Sequence, residues 1–241
     1  MKLIVSGLGC SVDINPGDIS TLKISNSALF QSVVDKIFLS SIGESKEAFI
    51  VDDDGGHLDL DKVADIVFSP RLIDFKSKKI VTAITGKIKR HISVDIELKN
   101  KFEASTLDLI SQLEEIMEEL ELPLRFDSNV DIVSLLKLVN VSAEYDDSSQ
   151  LSLMKSYLDI CSEFNINRFI FVINFQSLFD ITQIDELESF ALKRQISLIF
   201  IDQINSAISS SEKEEVTFID QDFNVSKKNA SYDASYEYVF D

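Results

Sequence analysis

Two stretches of this chain are apolar almost without interruption: 168–174 (RFIFVIN) and Ser197–Asp202 (SLIFID). A strand with one wet face alternates apolar and polar residues, whereas a strand covered on both faces reads as a continuous apolar run. A helix-forming stretch at about 182–194 lies between the two runs. This arrangement predicts buried parallel strands joined by a helix, the repeating unit of an α/β layer fold. Short strands are also expected at 2–6 and 10–14, around Gly7 and Gly9, at 19–25 and at Ala48–Val51. A strand at 216–219 reads as a sheet edge. Asn15-Pro16-Gly17-Asp18 is a turn signal. Asn26 is placed to cap a helix over 26–41, with Leu29, Phe30, Val33, Val34, Ile37 and Phe38 on one face. Residues 59–68 read as a helix that Pro70 stops.

The middle of the chain has a different period. Val81, Ile84, Ile88 and Ile92 recur at helical spacing within 76–92, and Leu109, Ile110, Leu113, Ile116, Met117 and Leu120 do so within 105–121. Further helices are expected at 130–139 and 149–164, with no strand signal between 76 and 164. The fold class expected is therefore α/β. A parallel-sheet head is built from 1–70 and 165–225, and a helical leg, 71–164, is inserted into it. The polar, acidic segment 226–241 is expected to be a disordered tail, whose Tyr232, Tyr236, Tyr238 and Phe240 could dock on a partner. Only 7 Gly and 3 Pro occur, which excludes collagen-like, linker-rich and glycine-loop architectures.

Charge is distributed unevenly. The net charge of −18 argues against a nucleic-acid binder when taken as a total. Residues 71–101, however, hold nine basic residues against three acids, and 103–131 hold nine acids against one base. On a helix, Lys76, Lys79, Lys87 and Arg90 fall within about 80° of one another, and the apolar set lies about 135° away. A basic stripe opposite a buried one can track a phosphate backbone without reading sequence. A solvated helix face would show the same charge pattern. No aromatic residues interleave with these lysines, so single strands would find no stacking platform.

Most other chemistry is poorly supported. The single Gly-Lys pair, Gly86-Lys87, lacks the preceding glycine and the following Ser or Thr of a phosphate loop. The run ending in Asp202 resembles the acidic strand of a nucleotide-binding site, although apolar strands often end in Asp. His57 and His91 have no metal-ligand spacing, and the Asp52–Asp54 run fails the positions of a calcium-binding loop and reads as a turn. Cys10 and Cys161 form no framework and read as free thiols of a reducing cytoplasm. The apolar start of the chain is too short for a leader, and no run approaches a membrane span. Glu114, Glu115, Glu118, Glu119, Glu121, Asp127 and Asp131 gather oxygen ligands at a helical corner near Pro123, a pattern suited to calcium or simply to a solvated face.

These stretches resemble a known family, the small, ring-forming, DNA-end-binding protein of subtype II-A CRISPR systems, which acts in spacer acquisition. The resemblance spans most of 1–220 and is densest over 168–203. There, an apolar strand ending in Asn174 is followed by Ser177-Leu178, a helix and a second strand at 198–202. Asp202 stands where the family commonly has Glu, and the tail after about residue 225 is additional. The resemblance implies a degenerate P-loop-like head without a nucleotide and a helical leg, with no enzymatic activity. It also implies a cytoplasmic homotetrameric ring that is stabilised by calcium and encloses double-stranded DNA ends. The CRISPR integrase and effector proteins would be partners, and no membrane would be involved. Lys76, Lys79, Lys87, Lys89 and Arg90 are then the expected duplex-facing groups. Glu118, Glu119, Glu121, Asp127 and Asp131 are the pool for calcium ligands. The alternatives are a degenerate nucleotide-binding enzyme using Asp202 and an acidic protein-interaction module.

Overall fold

The structure, a computed structural model, describes residues 1–119, 131–204, 215–228 and 237–239. The chain divides into two compact units, Met1–Asp74 with Tyr145–Asp241 and Phe75–Glu144.

The first unit contains two sheets. Strands β1 (Lys2–Val5), β2 (Ser11–Asp13), β4 (Ala48–Val51) and β5 (His57–Asp59) form an antiparallel sheet in the order β2-β1-β4-β5. The larger sheet takes β3 (Ile19–Ile24), β6 (Ala64–Val67), β7 (Phe169–Ile173), β8 (Ser197–Asp202), β9 (Glu215–Ile219), β10 (Val225–Lys228) and β11 (Glu237–Val239). Its order is β11-β10-β9-β3-β8-β7-β6, parallel from β9 to β6 and antiparallel at β10 and β11. Every residue of β7 and β8 is buried, as their continuous apolar runs predict.

Helix α1 (Ser27–Ser41) packs one face of this sheet. Phe30, Val33, Val34 and Ile37 join Leu22, Ile24, Phe171, Ile199 and Ile201 in a single core, which continues into the small sheet through Leu3, Val12 and Ile50. Asn26 caps the helix, its side chain accepting from the Leu29 amide at 3.0 Å. The strands' other face, with Ile170, Val172, Leu198 and Phe200, is also buried. Helices α6 (Gln150–Phe164) and α8 (Ile181–Arg194) pack on each other, and α8 packs on β8. Asp180 and Gln183 form a reciprocal capping box at the start of α8. The short α7 (Phe175–Leu178) turns the chain between β7 and α8, and its Phe175 stacks on Phe200.

Several expectations are corrected here. Residues 59–68 are not one helix: the chain runs from β5 through a single turn, α2 (Leu60–Val63), into β6. Apolar residues at 60, 63, 64 and 67 fit a helical period, but pairing with β7 draws 64–67 into the sheet. The strand at 216–219 is not an edge, because β9 lies between β3 and β10. The segment 226–241 is not wholly a disordered tail: β10 pairs along β9, and β11 pairs with β10. Helix α6 belongs to the α/β unit and not to a leg of 71–164. It buries Leu153, Met154, Tyr157, Leu158, Ile160 and Cys161.

Among its described residues the second unit has α3 (Lys78–Val94), α4 (Ile96–Glu118) and α5 (Ile132–Leu138), with both α4 and α5 packed on α3. Helix α4 begins nine residues before the 105–121 pattern that pointed to it.

Candidate nucleic-acid interface

Helix α3 follows from local sequence. The Ser77 side chain caps it, accepting from the Ile80 amide, and Ile80, Ile84 and Thr85 bury its inner edge. The Thr85 hydroxyl donates back to the Val81 and Thr82 carbonyls, so a buried polar group is satisfied within the helix. Lys79, Lys87 and Arg90 emerge exposed along another edge. Lys76 is exposed as well, but it precedes the cap and extends the stripe from the connecting segment. Gly86 sits within the stripe, where an added Cβ would meet no atom within 4 Å.

Lys89 is also exposed but points elsewhere. At 100° per residue it lies roughly 80–160° around the helix from Lys79, Arg90 and Lys87. Its charge instead helps to hold Asp131 below the usual carboxylate range, behind the larger effects of the Ser134 hydroxyl and the Val133 amide. Asp131 is the cap of α5, accepting from the Val133 amide at 2.8 Å, the Ser134 amide at 3.3 Å and the Ser134 hydroxyl at 2.6 Å. Sequence reasoning placed Asp131 among the calcium ligands and missed this capping role. The signal was present in Asp131 followed three residues later by Ser134, at the start of an apolar run.

Glu118 and Glu119 are exposed at the carboxyl end of α4, where the helix has no basic residue in its last turn. Glu121 and Asp127 lie outside the described residues. Among the described residues no group of three or more His, Cys, Asp or Glu side chains could hold a metal ion. Glu118, Glu119 and Asp131, the described members of the pool, do not form such a group by themselves.

The α/β unit carries no phosphate cradle at the carboxyl end of β3. Its connection to α1 is only Ser25 and Asn26, and the Asn26 side chain occupies the amino end of the helix. A glycine-rich loop would instead turn its amides toward a phosphate there. Lys23 is fully buried within β3, and Asp202 is its register partner on β8, 3 % exposed. Register partners on parallel strands place their side chains on the same face, so an ammonium and a carboxylate are buried side by side. Among the described residues no helix is long and apolar enough to cross a membrane.

The comparisons with known proteins agree with this architecture. No curated protein sequence gives a significant match. The fold is similar to the crystal structure of Stu0660 of Streptococcus thermophilus, with a TM-score of 0.62 at 12 % identity, over 100 % of this chain and 77 % of that one. At that identity the likeness concerns the fold alone. Residues 42–223 match the family model described as CRISPR-associated protein (Cas_Csn2). That match covers most of the sequence, and the chain belongs to this CRISPR-associated family.

Proposed function

We propose that this protein is a non-enzymatic CRISPR adaptation protein of the cytoplasm. It holds double-stranded DNA ends, without reading their sequence, inside a ring of four copies during spacer acquisition. The observation that carries this reading is the exposed row of Lys79, Lys87 and Arg90 along α3, which Lys76 extends from the segment before the helix, in a chain of net charge −18. Acidic surface repels DNA, so contact is confined to the basic row. The row contains no base-reading geometry and offers point charges suited to phosphates. One copy supplies few phosphate contacts, and affinity at physiological salt rises steeply with their number, so several copies facing one duplex are needed.

The packing of the helical unit supports self-association. Among its described residues the buried side chains are Phe75, Ile80, Ile84, Thr85 and Ile110. Val94, Ile96, Leu107, Leu109, Leu113, Ile116, Leu138 and Val139 are exposed large hydrophobics. Leu109, Leu113 and Ile116 share one face of α4 with Leu98 and Phe102, a seam about 60° wide along the helix. Further copies of the chain would cover it. The CRISPR integrase and effector proteins are the proposed partners of the loaded ring. No step is routed through calcium; Glu121 and Asp127, two of its five expected ligands, lie outside the described residues.

A closed ring admits DNA only by threading, which makes an end necessary. The test is a binding assay on one plasmid, supercoiled and linearised, across a salt series. The linear form should bind and the circle should not. Lys79→Glu with Lys87→Glu should weaken binding and lower the salt slope by about 1 for each phosphate that is no longer neutralised. Equal affinity for circle and linear form would overturn the threading reading.

A further inference from the structure

A second basic feature lies in the α/β unit, at the end of the sheet opposite the carboxyl ends of the strands. The turns that lead into β3, β7 and β8 surround a cleft of about 510 Å³. Its wall comprises Pro16 and Gly17, the end of α6 with Asn165–Arg168, and the end of α8 with Arg194–Ile196. No Asp or Glu lines it, in a chain with 41 acidic residues against 23 basic ones. Asn165, Arg168, Arg194 and Gln195 are exposed around its rim, and each carries N–H donors.

The cleft is rigidly built. Gly17 takes φ +82°, a conformation that favours glycine, and its turn lies in ordinary van der Waals contact with the α8–β8 turn. The Gly17 amide donates to the Ser197 hydroxyl at 2.8 Å, and that hydroxyl donates to the Asn15 carbonyl at 2.9 Å. The Arg168 backbone is pinned on both sides, its amide donating to Val63 O at 2.7 Å and its carbonyl accepting from Ser197 N at 3.0 Å. Arg194 is steered by Asp159, which accepts from its Nε at 2.5 Å and leaves its terminal nitrogens for another acceptor. At the back, the Asn167 side chain is 5 % exposed. Its Nδ2 donates to the Tyr157 hydroxyl at 3.0 Å, while its Oδ1 has no hydrogen-bond partner.

Two helices end at this cleft, so the arginines could serve only to balance the negative ends of those helices. The chain already caps them, however. Asn165 N and Ile166 N donate to Ser162 O and Cys161 O, and Gln195 N and Ile196 N donate to Leu192 O and Ala191 O. These bonds satisfy the terminal carbonyls, so the guanidinium N–H groups are not consumed as caps, and their positive charge must outweigh the negative helix ends for an anion to bind.

We propose that this cleft binds a phosphate monoester, with Arg168 and Arg194 on its oxygens and the exposed amides of Asn165 and Gln195 on its flank. A free nucleotide and the 5′-phosphorylated end of a duplex share this chemistry. The proposal stands apart from the basic row on α3 and does not depend on it.

Calorimetry on the full chain tests it with AMP, adenosine and inorganic phosphate, using Arg168→Gln and, as a control, Arg71→Gln. Arg71 is an exposed arginine elsewhere in the same unit. AMP should bind, phosphate should compete for the same site, and adenosine should not bind. Arg168→Gln should weaken AMP by about tenfold or more, the loss expected for charge-assisted hydrogen bonds, and Arg71→Gln should not. In a parallel arm, duplexes with 5′-phosphate and 5′-hydroxyl ends are compared on the same variants. Preference for the phosphorylated end that Arg168→Gln removes identifies the DNA end as the source, and AMP binding without that preference identifies a free nucleotide. The proposal is overturned if neither ligand binds, if adenosine binds as well as AMP, or if both arginine variants lose binding equally. Retained binding of hydroxyl-ended duplex by Arg168→Gln would leave the DNA-ring reading intact in each of these cases.

Discussion

Asp202→Asn should destabilise the α/β unit much more than replacing Asp202 and Lys23 together. The two residues face each other in the parallel pairing of β3 and β8, with side chains 0 % and 3 % exposed for Lys23 and Asp202. Adjacent strands lie about 4.8 Å apart, so the charges are neighbours in a region that water does not reach. Removing the carboxylate takes a neighbouring counter-charge away from a buried lysine, which costs about 3–5 kcal/mol where the two are paired. Total stabilities of domains are about 5–15 kcal/mol, so a large share would be lost. Replacing both groups by apolar ones, Lys23→Met with Asp202→Leu, removes the desolvation penalty together with the attraction and should be close to neutral. Glu188, buried on α8, is a third ionisable group inside this unit. A double-mutant cycle separates its influence from the Lys23–Asp202 coupling. Urea unfolding followed by circular dichroism, at one fixed protein concentration so that association contributes equally, gives the four stabilities. The reasoning fails if Asp202→Asn costs less than about 1 kcal/mol, or if the double variant loses the sum of the single losses.

Other predictions are more local. Gly86→Ala should stabilise the protein by about 1 kcal/mol in thermal unfolding, because the glycine is inside an exposed helix with open space at its Cβ position. Deleting 223–241 would be neutral if that segment were only a tail. It should instead lower the melting temperature, since it removes β10, the buried Ser226 and the 2.7 Å ion pair of Lys227 with Asp13. Hydrogen bonds from Lys62 and then Lys46 lower the Asp59 carboxyl from 3.8 to about 2. Its contribution should be complete above the unfolded value near 3.8 and disappear as pH falls toward 2, and Asp59→Asn should flatten that part of the stability–pH curve. Leu113→Asp with Ile116→Asp should shift sedimentation toward smaller species while the circular dichroism stays helical.

The features read most directly from the sequence were those set by local pattern. The runs at β7 and β8, the Asn26 cap of α1 and the basic edge of α3 each depend on residues within a few positions of one another. The features that were missed depend on partners distant in sequence. Residues 64–67 become a strand because β7 is beside them, and polar 225–228 becomes a strand because β9 is. Helix α6 has the same period as the helices of the second unit, and only its packing on α8 assigns it to the α/β layer. Asp202 was noted as the end of an apolar run, but its pairing with Lys23 requires two strands separated by more than 170 residues to lie in register. The arginines of the amino-end cleft gave no pattern at all, since they come from turns before two different strands.

The central claim is that DNA enters through a free end. It is tested most directly on a single linear duplex, compared with both ends open and with both ends blocked by a bulky biotin–streptavidin cap, at salt high enough to suppress non-specific contact. The account predicts stable, sliding complexes on the open duplex and almost none on the capped one. Equal occupancy of the two would show that the protein binds from the side, and would contradict it.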